Sequence, residues 1–199
     1  EGGLFMKRYP HIPDGLMNNQ ILSEGHPTYG GLTGRDIMAL VVGLEQVVAT
    51  DAYLDHRVGQ VAYLGARMAG LGLPMLTPFG GHAVYLDMNK FFEDTNKKAS
   101  DFGGIAFAAL LLGLYGHRVS ELGNFAFGSY DKKTKKETFP EVNFVRFAIP
   151  RLRYERQDLD AVADAVKALY ENRNLIPNVK VLYGKELPLR HFKARFELK

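Results

Sequence analysis

The sequence at residues 142–151 is VNFVRFAIPR. Half of its side chains are β-branched or aromatic, a composition typical of a strand inside a sheet. We therefore predict a strand from Val142 to Ile149 that is covered on both faces. Pro150 ends the strand, and Arg151 follows, where a guanidinium can bind a carboxylate through two parallel hydrogen bonds. An arginine exposed in a turn is the alternative, and the residues alone favour it.

The segments before this strand predict helices. Residues 1–30 are rich in Gly, Pro, His and Asn, so regular structure there is expected to be short. From Gly34 onward, apolar residues recur at three- and four-residue steps, and Thr50 and Asp51 offer a new helix start. We predict two consecutive helices, or one long helix bent near Thr50. Their apolar stripes comprise Ile37, Leu40, Val41, Leu44, Val47 and Val48, then Leu54, Val58, Val61, Ala62, Leu64 and Met68.

Strands and helices alternate through the remainder of the chain. Helices are predicted over residues 102–115, with Gly116 ending the helix, and over residues 159–169, with Asp158 as the N-cap. Further strands are predicted over residues 74–77, 82–88, 117–122, 179–183 and 189–198. Helices packed on one face of a small, mainly antiparallel sheet fit this order, which is an α/β architecture.

The composition excludes several classes of function. Hydrophobic residues make up 46% of the chain and charged residues 24%, which predicts a folded globular protein. The net charge is only +3, and the one basic cluster surrounds Thr134 in a predicted hairpin loop, so neither nucleic acid nor a membrane surface is expected as a partner. Cysteine is absent, and the six histidines lack metal-ligand spacing. No long apolar run or signal sequence is evident, so the cytoplasm is the expected location.

Three motifs carry a resemblance to a known family. They are EGHPTYGGL at residues 24–32, VRFAIPR at residues 145–151 and LRHF at residues 189–192. Together they resemble the C-terminal part of the tryptophanase and tyrosine phenol-lyase family, which are pyridoxal-phosphate-dependent β-eliminating lyases. The resemblance implies the aspartate-aminotransferase-like fold, known as fold type I. Residues 1–48 would then end the large cofactor domain and begin the interdomain helix, and residues 49–199 would form the small C-terminal α/β domain.

The resemblance also implies roles for individual residues. Arg151 would bind the α-carboxylate of an amino-acid substrate. Tyr29 and Gly30 would lie near pyridoxal phosphate, in a segment close to a subunit boundary. His82, in the family-like stretch GGHAVYLD, would lie near the substrate, although a histidine entering an apolar strand is more often a core residue.

Two positions distinguish the members of the family. Phenol-lyases carry the sequence Glu-Arg-Gly where this chain has Glu121-Leu122-Gly123. They carry Leu-Arg-Phe-Phe where this chain has Leu189-Arg190-His191-Phe192. Leu122, His191 and Phe192 would line the side-chain pocket, and a pocket without a partner for a phenolic hydroxyl favours indole. The resemblance is thus closer to tryptophanase, with conversion of tryptophan to indole, pyruvate and ammonia as the implied reaction. Tyrosine phenol-lyase activity, or action on another amino acid, is the alternative, and His191 could instead be exposed on an edge strand.

One expected feature of the family is missing. The Schiff-base lysine in these lyases precedes the segment that resembles residues 1–4, and Lys7 lies too late in that comparison to replace it. We therefore expect the chain alone to be inactive, with an N-terminal portion or a second polypeptide supplying the lysine and most ligands of the cofactor. The resemblance further implies a homotetramer and a potassium ion held largely by other segments. A non-catalytic remnant that binds a partner is the remaining alternative.

Overall fold

A computed structural model describes residues 8–9, 11–23 and 33–199, which divide into two compact units between Tyr53 and Leu54. The first unit contains helices α1 (His11–Ser23) and α2 (Gly34–Ala49). Helix α1 is longer than the sequence predicts, because Pro13 lies in its first turn, where the missing N–H has no partner within the helix. The motif at residues 24–32 lies outside the described residues. The predicted domain boundary at residues 48 and 49 stays a prediction.

The predicted pair of consecutive helices is present. Helix α3 (Ala52–Gly70) follows α2, and the hydroxyl of Thr50 accepts a hydrogen bond from the backbone N–H of Ala52 at 3.3 Å. Val61, Leu64 and Met68 of α3 are buried in the core. No single described helix is long and apolar enough to cross a membrane, although α2 and α3 reach that length and composition when they are taken together.

The described residues contain three antiparallel sheets, whose strands are β1 (Ala83–Asp87), β2 (Ser120–Leu122), β3 (Ser129–Tyr130), β4 (Glu137–Thr138), β5 (Phe144–Ala148), β6 (Val179–Tyr183) and β7 (Arg195–Leu198). The largest sheet has the strand order β1–β5–β2, so the strand predicted within residues 142–151 lies at the centre of the sheet. A second sheet is the hairpin β3–β4, whose loop holds the four exposed lysines, as predicted. The third sheet pairs β6 with β7.

Helices cover one face of the central sheet. Helix α4 (Met88–Phe91) follows β1, and the longer helices α5 (Gly103–Tyr115) and α6 (Arg156–Glu171) bury Phe107 and Val166 against the sheet. Phe107 meets Phe147 of β5 with ring centroids 6.3 Å apart. Gly116 ends α5 as predicted, since its φ of +74° is readily adopted only by glycine. The α/β class and the antiparallel pairing are therefore confirmed.

Several boundaries differ from the predictions. Residues 74–77 form only one isolated bridge, Met75 with Leu86, because Pro74 and Pro78 restrict pairing to a single position. Asp158 is the third residue of α6, and its carboxylate accepts a hydrogen bond from the backbone N–H of Glu155, which is the N-cap. The strand predicted from residue 117 begins at Ser120. Strand β5 is fully buried on one face only, since its alternate residues are half-buried or exposed.

The prediction of a strand over residues 189–198 is wrong for the first half of that range. Arg190–Lys193 form a short helix, α7, before β7 begins at Arg195. The turn begins because Leu189 adopts a left-handed φ of 53° and the side chain of Arg190 is held in the interior by the carbonyls of Phe125 and Asn124, which are distant in sequence. His191 and Phe192 therefore lie on a helical turn and not on a strand.

Candidate functional site

The central sheet has one core face and one outer face. Side chains alternate between faces along a strand, and cross-strand partners share a face. Val84, Leu86, Val145 and Phe147 point into the core. The outer face is formed by the alternate residues, which are half-buried: Tyr85, Ser120, Leu122, Phe144 and Arg146.

Arg146 lies at the centre of the outer face. It pairs with Tyr85 on β1 and with Ser120 on β2. Its Nε atom is buried and has no hydrogen-bond partner, and no hydrogen bond or ion pair joins its guanidinium to any described residue. A buried guanidinium nitrogen without an acceptor is costly, so such a group calls for a missing partner. An anion bound on the outer face would supply one.

Other polar groups nearby are already engaged. Asp87, which pairs with Phe144, uses its Oδ1 to accept hydrogen bonds from the backbone N–H groups of Asn89 and Lys90. Arg57 and Gln60 each leave one buried atom unpaired, but each also donates to a backbone carbonyl, Arg57 to His82 at 3.1 Å and Gln60 to Tyr154 at 2.6 Å. Arg146 therefore differs from Arg57 and Gln60, because none of its guanidinium nitrogens has a hydrogen-bond partner among the described residues.

Arg151, the predicted carboxylate-binding arginine, is placed differently. It lies in the exposed turn that follows β5, and it makes no hydrogen bond or ion pair with the described residues. His82 lies at the same end of the sheet, where its carbonyl accepts hydrogen bonds from Ile149 N–H and from Arg57. The His82 side chain is exposed and not part of the core. Arg151 and His82 are thus brought to one end of the sheet, away from Leu122, which pairs with Phe144 at the other end.

Leu122 lies on the same face as Arg146. The strand register pairs Leu122 with Phe144, two residues before Arg146 on β5, which places the two side chains about 7 Å apart. The Phe144 ring meets the Tyr85 ring edge to face, with centroids 6.2 Å apart. The outer face therefore combines one free guanidinium with an apolar and aromatic surface.

His191 and Phe192 are linked to this region through Arg190. The buried Arg190 donates from Nε to Phe125 O at 2.8 Å and from Nη2 to Asn124 O at 3.3 Å, just beyond the end of β2. The His191 and Phe192 rings lie 4.0 Å apart, and Phe192 is 78% exposed. His191 also lines a cavity of about 360 Å³ beside Lys185. Both rings are accessible, but they do not lie on the outer face.

Glu121 supports the loop after β2 from the core side. Its two carboxylate oxygens accept hydrogen bonds from the backbone N–H groups of Phe125 at 3.0 Å and Ala126 at 2.9 Å. Burial raises the pKa of Glu121, and the backbone N–H groups and the positive charge of Arg190 offset part of this rise. The Glu121 carboxylate thus accepts hydrogen bonds from backbone N–H groups of the same loop whose backbone carbonyls accept hydrogen bonds from Arg190.

This raised pKa predicts a pH dependence of stability. A carboxyl whose folded pKa exceeds its unfolded value stabilises the fold fully below the unfolded pKa, and that contribution is lost as pH rises through the folded pKa. Above about pH 4.5 the unsubstituted chain should therefore lose stability with rising pH relative to Glu121→Gln. The difference between their free energies of unfolding, taken as Glu121→Gln minus the unsubstituted chain, should increase with pH. Urea unfolding between pH 4 and 8 measures this difference. The exposed Glu141→Gln is the control, and a Glu121→Gln difference that stays constant with pH would contradict the assignment.

The described residues do not form a complete site for pyridoxal phosphate. None of the lysines in residues 8–9, 11–23 and 33–199 belongs to the strands that carry Arg146 and Leu122. Tyr29 and Gly30, the predicted cofactor contacts, lie outside the described residues. Within the described part of the chain, no group of three or more His, Asp or Glu side chains could hold a metal ion.

Arg146 is the residue that the sequence reasoning missed. A signal for it was present, because strand β5 alternates the buried Val145 and Phe147 with other residues, and Arg146 is the only charged side chain in the strand. A charge in the middle of a central strand needs a partner. Arg151 lies at the end of the family motif, whereas the alternation of buried and half-buried side chains along the strand indicates Arg146.

Several known proteins are similar to this chain over most of its length. The chain is 40% identical over 176 residues to the tyrosine phenol-lyase of Lacrimispora saccharolytica, covering 88% of this chain and 37% of that protein. It is 39% identical over 197 residues to the tyrosine phenol-lyase of Symbiobacterium thermophilum, covering 98% of this chain and 42% of that protein. It is 36% identical over 198 residues to a probable tryptophanase of Aeropyrum pernix, covering 98% and 41%.

The chain spans about two-fifths of the length of the curated relatives that it matches. Identity over the whole chain is similar for the tyrosine phenol-lyases and the probable tryptophanase, so it does not separate the two activities. No family model matches the chain.

Proposed function

Because this chain belongs to the tryptophanase and tyrosine phenol-lyase family, we propose that it forms the part of an amino-acid lyase that binds the carboxylate and aromatic side chain of the substrate. The outer face of the central sheet is the binding surface in this proposal. Pyridoxal phosphate would be the cofactor of the complete enzyme and would be held by residues other than those described. The isolated chain is accordingly proposed to be inactive.

The unpaired guanidinium of Arg146 is the observation that carries this proposal. A carboxylate placed against it would accept hydrogen bonds from nitrogens that have no other acceptor, and charge-assisted bonds of this kind are about twice as strong as neutral ones. Burial beside Tyr85 and Phe144 strengthens the attraction, since water is partly excluded there. Arg151 remains the competing candidate, and its exposure predicts a weaker, solvent-screened interaction.

The chemistry of the outer face favours an indole side chain. Leu122 lies beside Phe144 and about 7 Å from Arg146, which is a suitable separation for the two ends of an aromatic amino acid. Leu122 offers no hydrogen bond to a phenolic hydroxyl, so burying tyrosine there would leave that hydroxyl unpaired, at a cost of about 1–3 kcal/mol. We propose tryptophan as the substrate, with tyrosine as the alternative.

The remaining features are part of the same proposal. A polypeptide that carries the cofactor lysine would complete the site, and the assembly would adopt fold type I as a homotetramer with potassium bound outside the described residues. His191 and Phe192 would close the side-chain pocket once that polypeptide is present. His82 would contribute through its backbone, because its carbonyl anchors Arg57 beside the sheet.

Two carboxylates that lack an amino group test this proposal without the cofactor. Indole-3-propionate and 3-(4-hydroxyphenyl)propionate each carry a carboxylate and one of the two side chains. In isothermal titration of the chain, we expect indole-3-propionate to bind on the order of tenfold more tightly, because the phenolic hydroxyl finds no partner at Leu122. The variant Leu122→Arg supplies that partner and should reverse the preference.

The control for this titration is Leu182→Arg, which places the same side chain on an exposed position of strand β6. It should leave both affinities unchanged. If each protein, the unsubstituted chain and Leu122→Arg, binds the two ligands with equal affinity, Leu122 does not contact the side chain of the ligand.

A further inference from the structure

A polar cavity lies between the loop that precedes α5 and the segment that joins α6 to β6. Its volume is about 600 Å³, which is within the usual range for sites that bind small molecules. Its walls come from residues 95–101, from residues 173–178 and from Lys199, which follows β7. No described residue of strands β1, β2 and β5 lines it. The cavity is therefore separate from the outer face of the central sheet.

The lining of this cavity carries more positive than negative charge. Among the described residues that line it, the charged side chains are Lys97, Asp101, Arg173 and Lys199, so three positive charges face one negative charge. The Asp101 carboxylate is already engaged, because its Oδ2 accepts a hydrogen bond from the backbone N–H of Lys98 at 2.9 Å. The excess of positive charge would attract an anion.

Lys97 is fixed at the wall of the cavity. Its backbone N–H donates a hydrogen bond to Thr95 Oγ1 at 3.2 Å, and its Nζ donates to Asn178 Oδ1. The amide oxygen is neutral, so this bond does not neutralise the ammonium group, which has two further N–H groups to donate. Burial lowers the pKa of Lys97, and the negative charge of Asp101 offsets part of this lowering. An anion beside Nζ would favour the charged form of the lysine.

Arg173 contributes a guanidinium group to the same cavity. Its side chain is 21% exposed, and it stacks over the Tyr170 ring at 4.5 Å and donates from Nη1 to Tyr170 O at 3.0 Å. Its acidic partner is Asp94, which lies 3.5 Å from Nη2 and whose side chain is 81% exposed. An ion pair of this length and exposure is weak, so a ligand can replace Asp94 at little cost.

We propose that this cavity binds a phosphate group, with Lys97 and Arg173 donating hydrogen bonds to the phosphate oxygens. A phosphate monoester carries a charge of about −1.5 to −2 near pH 7 and offers three acceptor oxygens, which matches the excess positive charge of the lining. The planar guanidinium of arginine suits two phosphate oxygens at once, and lysine binds phosphate as a point charge. The volume of the cavity also leaves room for a small organic group attached to the phosphate. This site is independent of the proposed function.

Isothermal titration of the full chain at constant ionic strength tests this proposal. Inorganic phosphate and phenyl phosphate are the two probes, and we expect both to bind saturably because the phosphate group is the part that is recognised. Lys97→Met retains the length of the side chain but removes its charge and its donors, so it should weaken both affinities at least tenfold. Lys98→Met is the matched control, since Lys98 is the exposed neighbour that does not line this cavity, and it should change both affinities less than twofold. Tighter binding of phenyl phosphate would identify a phosphate ester as the ligand, and equal affinities would identify free phosphate.

The titration of Lys97 itself gives a second measurement. The chemical shift of its Cε carbon, followed with pH, should report a higher pKa of Lys97 in the presence of saturating phosphate than in its absence. A pKa of Lys97 that phosphate does not change would place the anion elsewhere and overturn the proposal. Equal weakening by Lys97→Met and Lys98→Met, or binding that does not saturate, would also overturn it, since either result is expected from overall charge alone. Lys97→Met should leave the affinity for indole-3-propionate unchanged, so the phosphate site and the outer face can fail separately.

Discussion

Replacing Arg146 by glutamine is expected to weaken the binding of indole-3-propionate by about tenfold to a hundredfold. Hydrogen bonds to a charged group are worth about 1.5–3 kcal/mol, and each 1.4 kcal/mol corresponds to a factor of ten in affinity. Glutamine retains one donor group but loses the positive charge and the fork of five N–H donors. The buried position of Nε makes the loss larger than it would be on an open surface.

Isothermal titration of the unsubstituted chain and of Arg146→Gln measures this loss. Arg151→Gln is the matched control, since it makes the same change five residues later in the exposed turn. We expect Arg151→Gln to change the affinity by no more than about fivefold, because an exposed ion pair contributes about 0–1 kcal/mol. If Arg151→Gln causes the large loss and Arg146→Gln does not, the carboxylate binds at the end of the sheet and the site proposed on the outer face is wrong.

Replacing Arg190 by alanine is expected to lower the free energy of unfolding by about 3–5 kcal/mol, which is the cost of removing one partner from a buried charged network. The Arg190 side chain is only 6% exposed, and it connects three separate segments. Its nitrogens reach the carbonyls of Asn124, Phe125 and Lys185 and the carboxylate of Glu137, and the guanidinium stacks over the Phe125 ring at 4.3 Å.

The loss follows from what remains after the substitution. The carbonyls of Asn124 and Phe125 would lose their buried donor, and Glu137 would keep only its ion pair with Lys185 at 2.8 Å. Urea unfolding measures the effect. Arg195→Ala, which removes an exposed arginine from β7, is the control and should change stability by less than about 0.5 kcal/mol. Equal, small effects of the two variants would show that the Arg190 network contributes nothing to stability.

The elements with strong local signals were predictable from the sequence. Strand β6 and helix α5 match their predicted ranges almost residue for residue, because an uninterrupted apolar run forms α5 and Gly116 ends it. The short helix α7 was not predictable in this way. It depends on the contacts of Arg190 with carbonyls more than 60 residues away in sequence, and no local pattern encodes them.

The candidate site was predictable in part. Leu122 was identified through the family motif, and the strand register places it on the outer face beside Phe144. Tyr85 and Phe144 were not identified, because an aromatic residue in a strand gives no sign of which face it occupies until the pairing register is known. The choice between Arg146 and Arg151 depends on the same register, since one lies within the strand and the other beyond its end.

The position of a bound ligand distinguishes the outer face of the central sheet from the end of that sheet. Nuclear Overhauser effects between indole-3-propionate and the isotopically labelled chain would report which side chains lie within about 5 Å of the indole ring. We predict contacts from the ring to Leu122 and Phe144, with the propionate directed toward Arg146. Contacts to Arg151 and His82 without any to Leu122 or Phe144 would contradict binding on the outer face and would place the ligand at the end of the sheet.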